Sequence, residues 1–310
     1  MRVIFAGTPS TAASALRGLS AASIDIALVI TRPDAPTGRK QVLTESPVAV
    51  TARELGLKVL KTSALTSEEN DFVAQVNADI GVVVAYGSFL SEETLGLLPK
   101  GWVNLHFSLL PKYRGAAPVQ HALMNGEKET GISVFQIDSS MDGGEIYLQV
   151  PTVIEPLETA GRLLERLTSL GVSALVQVLP QIVSGILQGK AQDDSEKTFA
   201  SKISRLQARI NWSKSGKEIE SLICAMNPEP MAWTDVNGTS LRIISAVQAE
   251  SENQEIAVAG RVTVADGAVF VECGAGSRLK ILEVQPAGKN VMSAMDWIRG
   301  FKAPHGLGFE

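Results

Sequence analysis

The octet "DIGVVVAY" at residues 79–86 limits what this chain can fold into more than any other stretch. Its apolar, β-branched run is short for a helix and shows no alternation of apolar with polar residues. Such a run fits a strand covered on both faces, the condition of strands in parallel sheets. Parallel neighbours cannot be joined by a tight turn, so each connection needs a crossover, usually a helix. The flanking sequence supplies that alternation. "RVIFAG" (2–7) reads as a strand and "TPSTAASALRGLSAA" (8–22) as a helix with Thr8 or Ser10 as its cap. "IDIALVIT" (24–31) is a second strand, and "RPDAPTGRKQVLTES" (32–46) a polar loop. Helix "PVAVTARELG", short strand "LKVLK" and helix "TSEENDFVAQVNA" lead into the octet. After it come a short helix, "ETLGLLP", and the strand "GWVNLHF" at 101–107.

These βαβ units predict an α/β fold: a Rossmann-like, mostly parallel sheet with flanking helices, and a ligand site beyond the strands' carboxyl ends. Residues 158–189 read as a long amphipathic helix that Pro180 is expected to kink. The stretch 190–205 is polar and linker-like. From 206 to 310, short alternating runs punctuated by glycine turns predict a smaller C-terminal, OB-like β-barrel. The expected division is therefore 1–189, a linker over 190–205, and 206–310.

Composition narrows the function classes. A formal net charge of −5 argues against a general nucleic-acid binder, although acidic and basic side chains balance from residue 201 onward. Cys224 and Cys273 stand far apart without ligand-type spacing, so neither a disulfide framework nor a zinc site is expected. Met1 and Arg2 lead straight into a strand rather than a signal peptide, and no bilayer-spanning run is expected, which points to the cytoplasm.

Asn104 and His106 stand two apart at the end of "GWVNLHF", which places both side chains on one face of that strand. An amide donor beside an imidazole could hold a developing oxyanion and shuttle a proton. A third, acidic group is needed to orient the imidazole, and "QIDSSMDGGEIY" (136–147) offers Asp138, Asp142 and Glu145 around a Gly-Gly turn. No serine or cysteine sits in a nucleophile elbow. The single glycine of "FAGTPSTA" is not a dinucleotide fingerprint. Each feature also has an ordinary explanation: polar pairs often end strands, and aspartates often precede glycine turns. Composition and spacing alone stop at an α/β enzyme with an acid–base site.

Taken together, "NLHFSLLPKYRGAAPVQHAL" and "TGISVFQIDSSMDGGEIY" resemble the signature of the folate-dependent formyltransferases. Within that superfamily "VIFAGTP", "RPDAPTGR", "VVVAYGSFL", "ARINW", "NPEPMAW" and "LEVQPAGKNVMSAMDWIRG" are similar, in the same order along the chain, to the methionyl-tRNA formyltransferase family, as is the closing "HGLG". The resemblance implies 10-formyltetrahydrofolate as formyl donor, no metal, and initiator methionyl-tRNA as partner; a monomer is the default expectation. Asn104, protonated His106 and Asp142 would form the catalytic trio. Ser108, Leu109, Leu110 and Pro111, with Tyr86 and Gly87, would contact folate, while Arg114 would fix its loop.

The family's tRNA-binding features map less fully. The loop after the second strand keeps Arg39 and Lys40 as its basic residues, and Lys214, Lys217, Lys289 and Arg299 are the further candidates for phosphate contacts. Thr11 stands where the family commonly has an aromatic, and Phe107 is bulkier than the residue usual at its position. The nearest rival is a formyltransferase acting on an amino-sugar nucleotide, which would lack the QPAGK segment. A non-catalytic folate- or tRNA-binding module would be expected to lack members of the trio.

Overall fold

β1 (Arg2–Gly7), buried from Val3 onward, lies inside a seven-stranded sheet. The computed structural model describes residues 1–38, 40–250, 258–301 and 307–310. β1 leads into α1 (Ser10–Ala21), β2 (Asp25–Thr31), the short β3 (Ala35–Thr37) and β4 (Val42–Thr44), α2 (Pro47–Glu54) and β5 (Val59–Lys61). α3 (Ser67–Gln75), β6 (Ile80–Val84), α4 (Glu92–Leu95) and β7 (Trp102–His106) follow. Then come α5 (Pro118–Met124), β8 (Glu129–Gln136), β9 (Ile146–Val153) and α6 (Ala160–Val183).

The sheet runs β5-β2-β1-β6-β7-β8-β9. The first five strands are mutually parallel, and β8 and β9 add an antiparallel edge. All five residues of β6 are buried, which is why its sequence carries no alternation. Local signals start the helices where the sequence pattern puts them. Ser46 accepts from the N–H of Ala49 to cap α2, with Pro47 at its first position. Thr66 and Glu69 form a capping box on α3.

Two expectations change. The polar loop over 32–46 contains a ribbon: β3 and β4 pair antiparallel, with every residue exposed. Arg39 lies outside the described residues, as does His305 of the closing "HGLG" stretch. Secondly, α6 does reach the length and hydropathy of a membrane-crossing helix. It has instead a buried stripe of Leu167, Ala174, Leu175, Val178 and Ile182, and Gly171 lies against Leu105 of β7. A Cβ on Gly171 would fall 2.4 Å from a Leu105 methyl, so the absent side chain lets helix and strand approach closely. Pro180 sits in the last turn of α6.

The chain divides into two compact units. The first comprises Met1–Pro118, Glu129–Val153 and Leu164–Ser201, so residues 190–201 of the expected linker belong to it. The second comprises Val119–Lys128, Ile154–Leu163 and Lys202–Glu310. Its elements are α7 (Gly216–Met226), β10 (Trp233–Val236), β11 (Thr239–Ala249), β12 (Val262–Ala265), β13 (Ala268–Glu272), β14 (Arg278–Pro286), β15 (Met292–Ser293) and α8 (Ala294–Ile298). The strands form an antiparallel sheet, ordered β10-β11-β14-β13-β12 with β15 on β14, curled into a half-barrel. Ile219, Ile223 and Met226 of α7 pack with Leu241, Ile243, Val269 and Leu279 of the sheet. Neither α7 nor α8 is expected from the sequence pattern, although Ser215 and Glu218 form a capping box ahead of α7.

Gly81 faces Trp102 across β6 and β7, where a Cβ would lie 2.0 Å from the indole ring. Trp102 is fully buried and its indole N–H donates to the Thr94 carbonyl, so the ring cannot yield easily. Gly81→Ala is therefore expected to destabilise the protein by about 1–3 kcal/mol, read as a lower urea midpoint at unchanged m-value.

Candidate active site

Pairing register fixes what stands beside the two polar residues of β7. Asn104 lies in a row with Val83 of β6 and Phe135 of β8, and His106 in a row with Ser133 of β8 and Gln149 of β9. The second row is polar in all three strands and sits at the carboxyl end of β7. Ser133 joins it to the next segment: its hydroxyl donates to the Ser108 carbonyl and accepts from the Leu110 N–H, while Gln149 donates to both Ser133 and the Leu110 carbonyl. Sequence reasoning missed this network; its one signal is the lone serine in the apolar run "GISVF".

His106 is 5% exposed. Its Nε2 lies 2.9 Å from the Tyr113 carbonyl; a carbonyl only accepts, so Nε2 carries the proton. Nδ1 lies 3.7 Å from Oδ2 of Asp142, within ion-pair range and beyond hydrogen-bond length. Burial holds the imidazole pKa below its ordinary 6.5, while the Asp142 carboxylate and the Tyr113 carbonyl oppose that shift. Asp142 itself is fixed in the left-handed region, with φ of 50°, and its Oδ2 accepts from the Gly115 N–H at 2.7 Å. Asn104 completes the group with a buried Oδ1 that has no hydrogen-bond partner in the protein. A buried acceptor left unpaired is costly, which sets Asn104 apart from the paired polar groups of the neighbouring row.

Of the trio named from the sequence, His106 and Asp142 meet within one unit, and Asn104 lies two residues before His106 on β7. Ser108 and Leu110 are buried and tied into the Ser133 network, which leaves Leu109 and Pro111 as the partly exposed members of their segment. Tyr86 is 2% exposed and its carbonyl accepts from Thr8, so this residue is committed to the interior. Gly87 follows it with φ of 79°, near Arg32. Phe107 is buried, whereas Thr11 lines a groove with Ser14, Glu165, Thr168 and Ser169 between α1 and α6. Lys40 is exposed on the turn between β3 and β4. In the second unit Lys217 and Lys289 are exposed, Lys214 pairs with Glu218 at 3.2 Å, and Arg299 pairs with Asp296 at 2.7 Å.

The sequence matches the formyl transferase family over residues 1–179 and the formyl transferase C-terminal domain over residues 202–302. It is 43% identical over 301 residues to the methionyl-tRNA formyltransferase of Leifsonia xyli subsp. xyli, covering 97% of each chain. The chain belongs to the methionyl-tRNA formyltransferase family. The counterpart from Neisseria meningitidis serogroup B is 40% identical over 303 residues, again with 97% of each chain covered. Among solved structures, an N-formyltransferase from Helicobacter canadensis in complex with folinic acid and dTDP-3-aminofucose shares the fold. Its TM-score is 0.67 at 20% identity, covering 92% of this chain and 98% of that one.

The unfolded chain binds a proton at His106 near 6.5 that the folded protein refuses until lower pH. This residue's contribution to stability is therefore complete above 6.5 and declines as pH falls through 6.5 toward the folded-state pKa. By NMR, the His106 imidazole is expected to titrate below 6.5, and lower still in Asp142→Asn, which removes a charge that raises it. A midpoint at or above 6.5 in the unmodified protein would contradict the assignment.

Proposed function

We propose that this chain transfers the formyl group of 10-formyltetrahydrofolate to the α-amine of methionyl initiator tRNA, the step that prepares this tRNA for translation initiation. Support comes from relatives of that name along nearly the whole chain and from the folate derivative held by a structure of the same fold. The observation that carries the chemistry is a buried imidazole at ion-pair distance from a carboxylate, two residues beyond an unpartnered amide oxygen on the same strand.

Burial keeps His106 neutral near pH 7, with its lone pair on Nδ1 because Nε2–H is committed to Tyr113. His106 therefore enters as a base. Nδ1 takes the proton that the amine sheds as its nitrogen bonds the formyl carbon. The Asp142 carboxylate stabilises the imidazolium so formed, which returns the proton to the folate nitrogen as the bond from that nitrogen to the formyl carbon breaks. Asn104 uses both ends of its amide: N–H donates to the formyl oxygen as negative charge develops, and Oδ1 accepts an N–H of the incoming amine. The protonated His106 that the resemblance implies is, on this reading, one that acquires its proton during the reaction.

Leu109 and Pro111 offer apolar surface to the folate, and the exposed Gly87, anchored by the buried Tyr86 before it, offers backbone groups. Arg39 and Lys40 would meet the acceptor stem, with Lys214 and Lys289 as further phosphate contacts; of the first two, Lys40 is exposed on the turn between β3 and β4. The protein works in the cytoplasm as a monomer.

Labelled formyl transfer from 10-formyltetrahydrofolate to methionyl-tRNA, run beside an amino-sugar nucleotide, tests the assignment; no product with the tRNA would sink it. His106→Ala is expected to lose about a hundredfold to ten-thousandfold in turnover, with folate binding by calorimetry unchanged. The Arg39→Ala, Lys40→Ala pair is expected to raise KM for tRNA and flatten its logarithmic salt dependence by about one for each phosphate that is no longer neutralised. An unchanged slope would remove the ribbon from the interface.

A further inference from the structure

The loop that carries Asp142 has an awkward course. Ile137, its first residue, donates its N–H to the Trp102 carbonyl at the entry end of β7, yet Asp142 reaches His106 at the exit end. The loop therefore folds back over the strand, and Gly143 and Gly144 give it room. A Cβ on Gly144 would lie 1.9 Å from the Gln136 carbonyl oxygen, and one on Gly143 would lie 2.3 Å from the Ser140 hydroxyl. A loop turned back in this way needs a tether.

Residues 190–200 supply one. Lys190 exchanges both backbone hydrogen bonds with Ile146. Gln192 then directs its amide nitrogen at two carbonyls of the loop, Asp142 and Gly144, at 2.8 Å each. Its amide oxygen accepts from Nε and Nη2 of Arg114 at 3.1 and 2.7 Å, which fixes which end of the amide faces the loop. Arg114 is 4% exposed and is held in turn by Asp194 at 2.8 Å. Further along, Thr198 accepts through its hydroxyl from the N–H of Tyr113, the residue whose carbonyl receives His106.

We propose that Gln192 is a positioning residue for the catalytic pair: clamped by Arg114, it locks the backbone of Asp142 and Gly144 so that the Asp142 carboxylate stands at ion-pair distance from His106. The other charged groups nearby have their own occupations. Asp138 accepts from Ser140, the Glu145 side chain packs against Gly189, and Asp194 pairs with Arg114 and Lys197. Gln192 touches no reacting atom and acts only through the loop.

Gln192→Met removes both donors without adding charge, and Gln192→Asn shortens the amide so that it cannot span both carbonyls. Each is expected to lower kcat by about tenfold to a hundredfold, with KM for folate and tRNA within about twofold, as expected for a catalytic group displaced by about an ångström. The kinetic arm rests on the proposed formyl transfer; the second arm does not. The chain has three histidines, so the His106 resonance is identified by its disappearance in His106→Gln. Its NMR titration midpoint should move down in both Gln192 variants, toward that of Asp142→Asn. In an Asp142→Asn background, Gln192→Met should move it no further, because the effect passes through the carboxylate. A variant that is merely less stable would lower the yield of folded protein and leave the midpoint in place. An unchanged midpoint in either folded variant would overturn the positioning role, as would an undiminished shift in the Asp142→Asn background. Absent formyl transfer by the unmodified protein, together with a shifted midpoint, would instead overturn the function and leave the positioning role standing.

Discussion

The buried imidazole of His106, held between a backbone carbonyl and a carboxylate, is the interaction on which the rest of the site depends. It dictates an unusual backbone just downstream. Tyr113 adopts φ of 61° and Gly115 φ of 121°, so the chain turns sharply on either side of Arg114. A left-handed non-glycine residue costs about 1–2 kcal/mol, which a hydrogen bond from Tyr113 N–H to Thr198 and a buried tyrosine ring offset. In return three consecutive residues serve the pair: the Tyr113 carbonyl fixes the tautomer of His106, Arg114 clamps Gln192, and the Gly115 N–H fixes Asp142. A Cβ on Gly115 would lie 2.6 Å from the Ala200 carbonyl, so no other residue fits that third role without movement.

The sheet makes this arrangement possible through its change of direction. Up to β7 the strands are parallel and their carboxyl ends share one rim; β8 and β9 then run antiparallel. Ser133 and Gln149 come to stand beside His106, and the loop between β8 and β9 starts from the opposite rim. An all-parallel continuation would have required a crossover helix there. The hairpin instead leaves a loop free to fold over β7, with its position then set by side chains from distant parts of the chain.

Much of this is legible in the sequence. The uninterrupted apolar run of β6 reports the parallel core, and the two-residue spacing of Asn104 and His106 reports their shared face. Asp142 is one of three acidic candidates until family resemblance singles it out. Residues 190–200 read as linker because they are polar, yet Gln192 and Thr198 are polar in order to satisfy backbone groups of other segments. Composition does not separate a side chain solvated by water from one committed to a remote carbonyl. Ser133 is the opposite case, a polar residue hidden in an apolar strand, where period and composition say strand and only the pairing register reveals its partners. α7 escapes for a third reason: its start signal is present, but the alternating runs and glycine turns further along the chain direct attention to strands.

The distance between His106 and Asp142 has chemical meaning. A carboxylate in full hydrogen-bond contact with Nδ1 would favour the imidazolium at rest, and a protonated base cannot accept a proton from the attacking amine. Without the carboxylate, burial alone would leave the imidazolium unsupported once it forms. In the proposed transfer, Asp142, at 3.7 Å and with Oδ2 already receiving the Gly115 N–H, is near enough to stabilise the charge when it appears and too far to hold the proton beforehand. The proposed transfer therefore requires a carboxylate whose position is governed by the backbone rather than by its attraction to the imidazole. That is the physical reason for a left-handed aspartate followed by two glycines, tethered from outside its own loop.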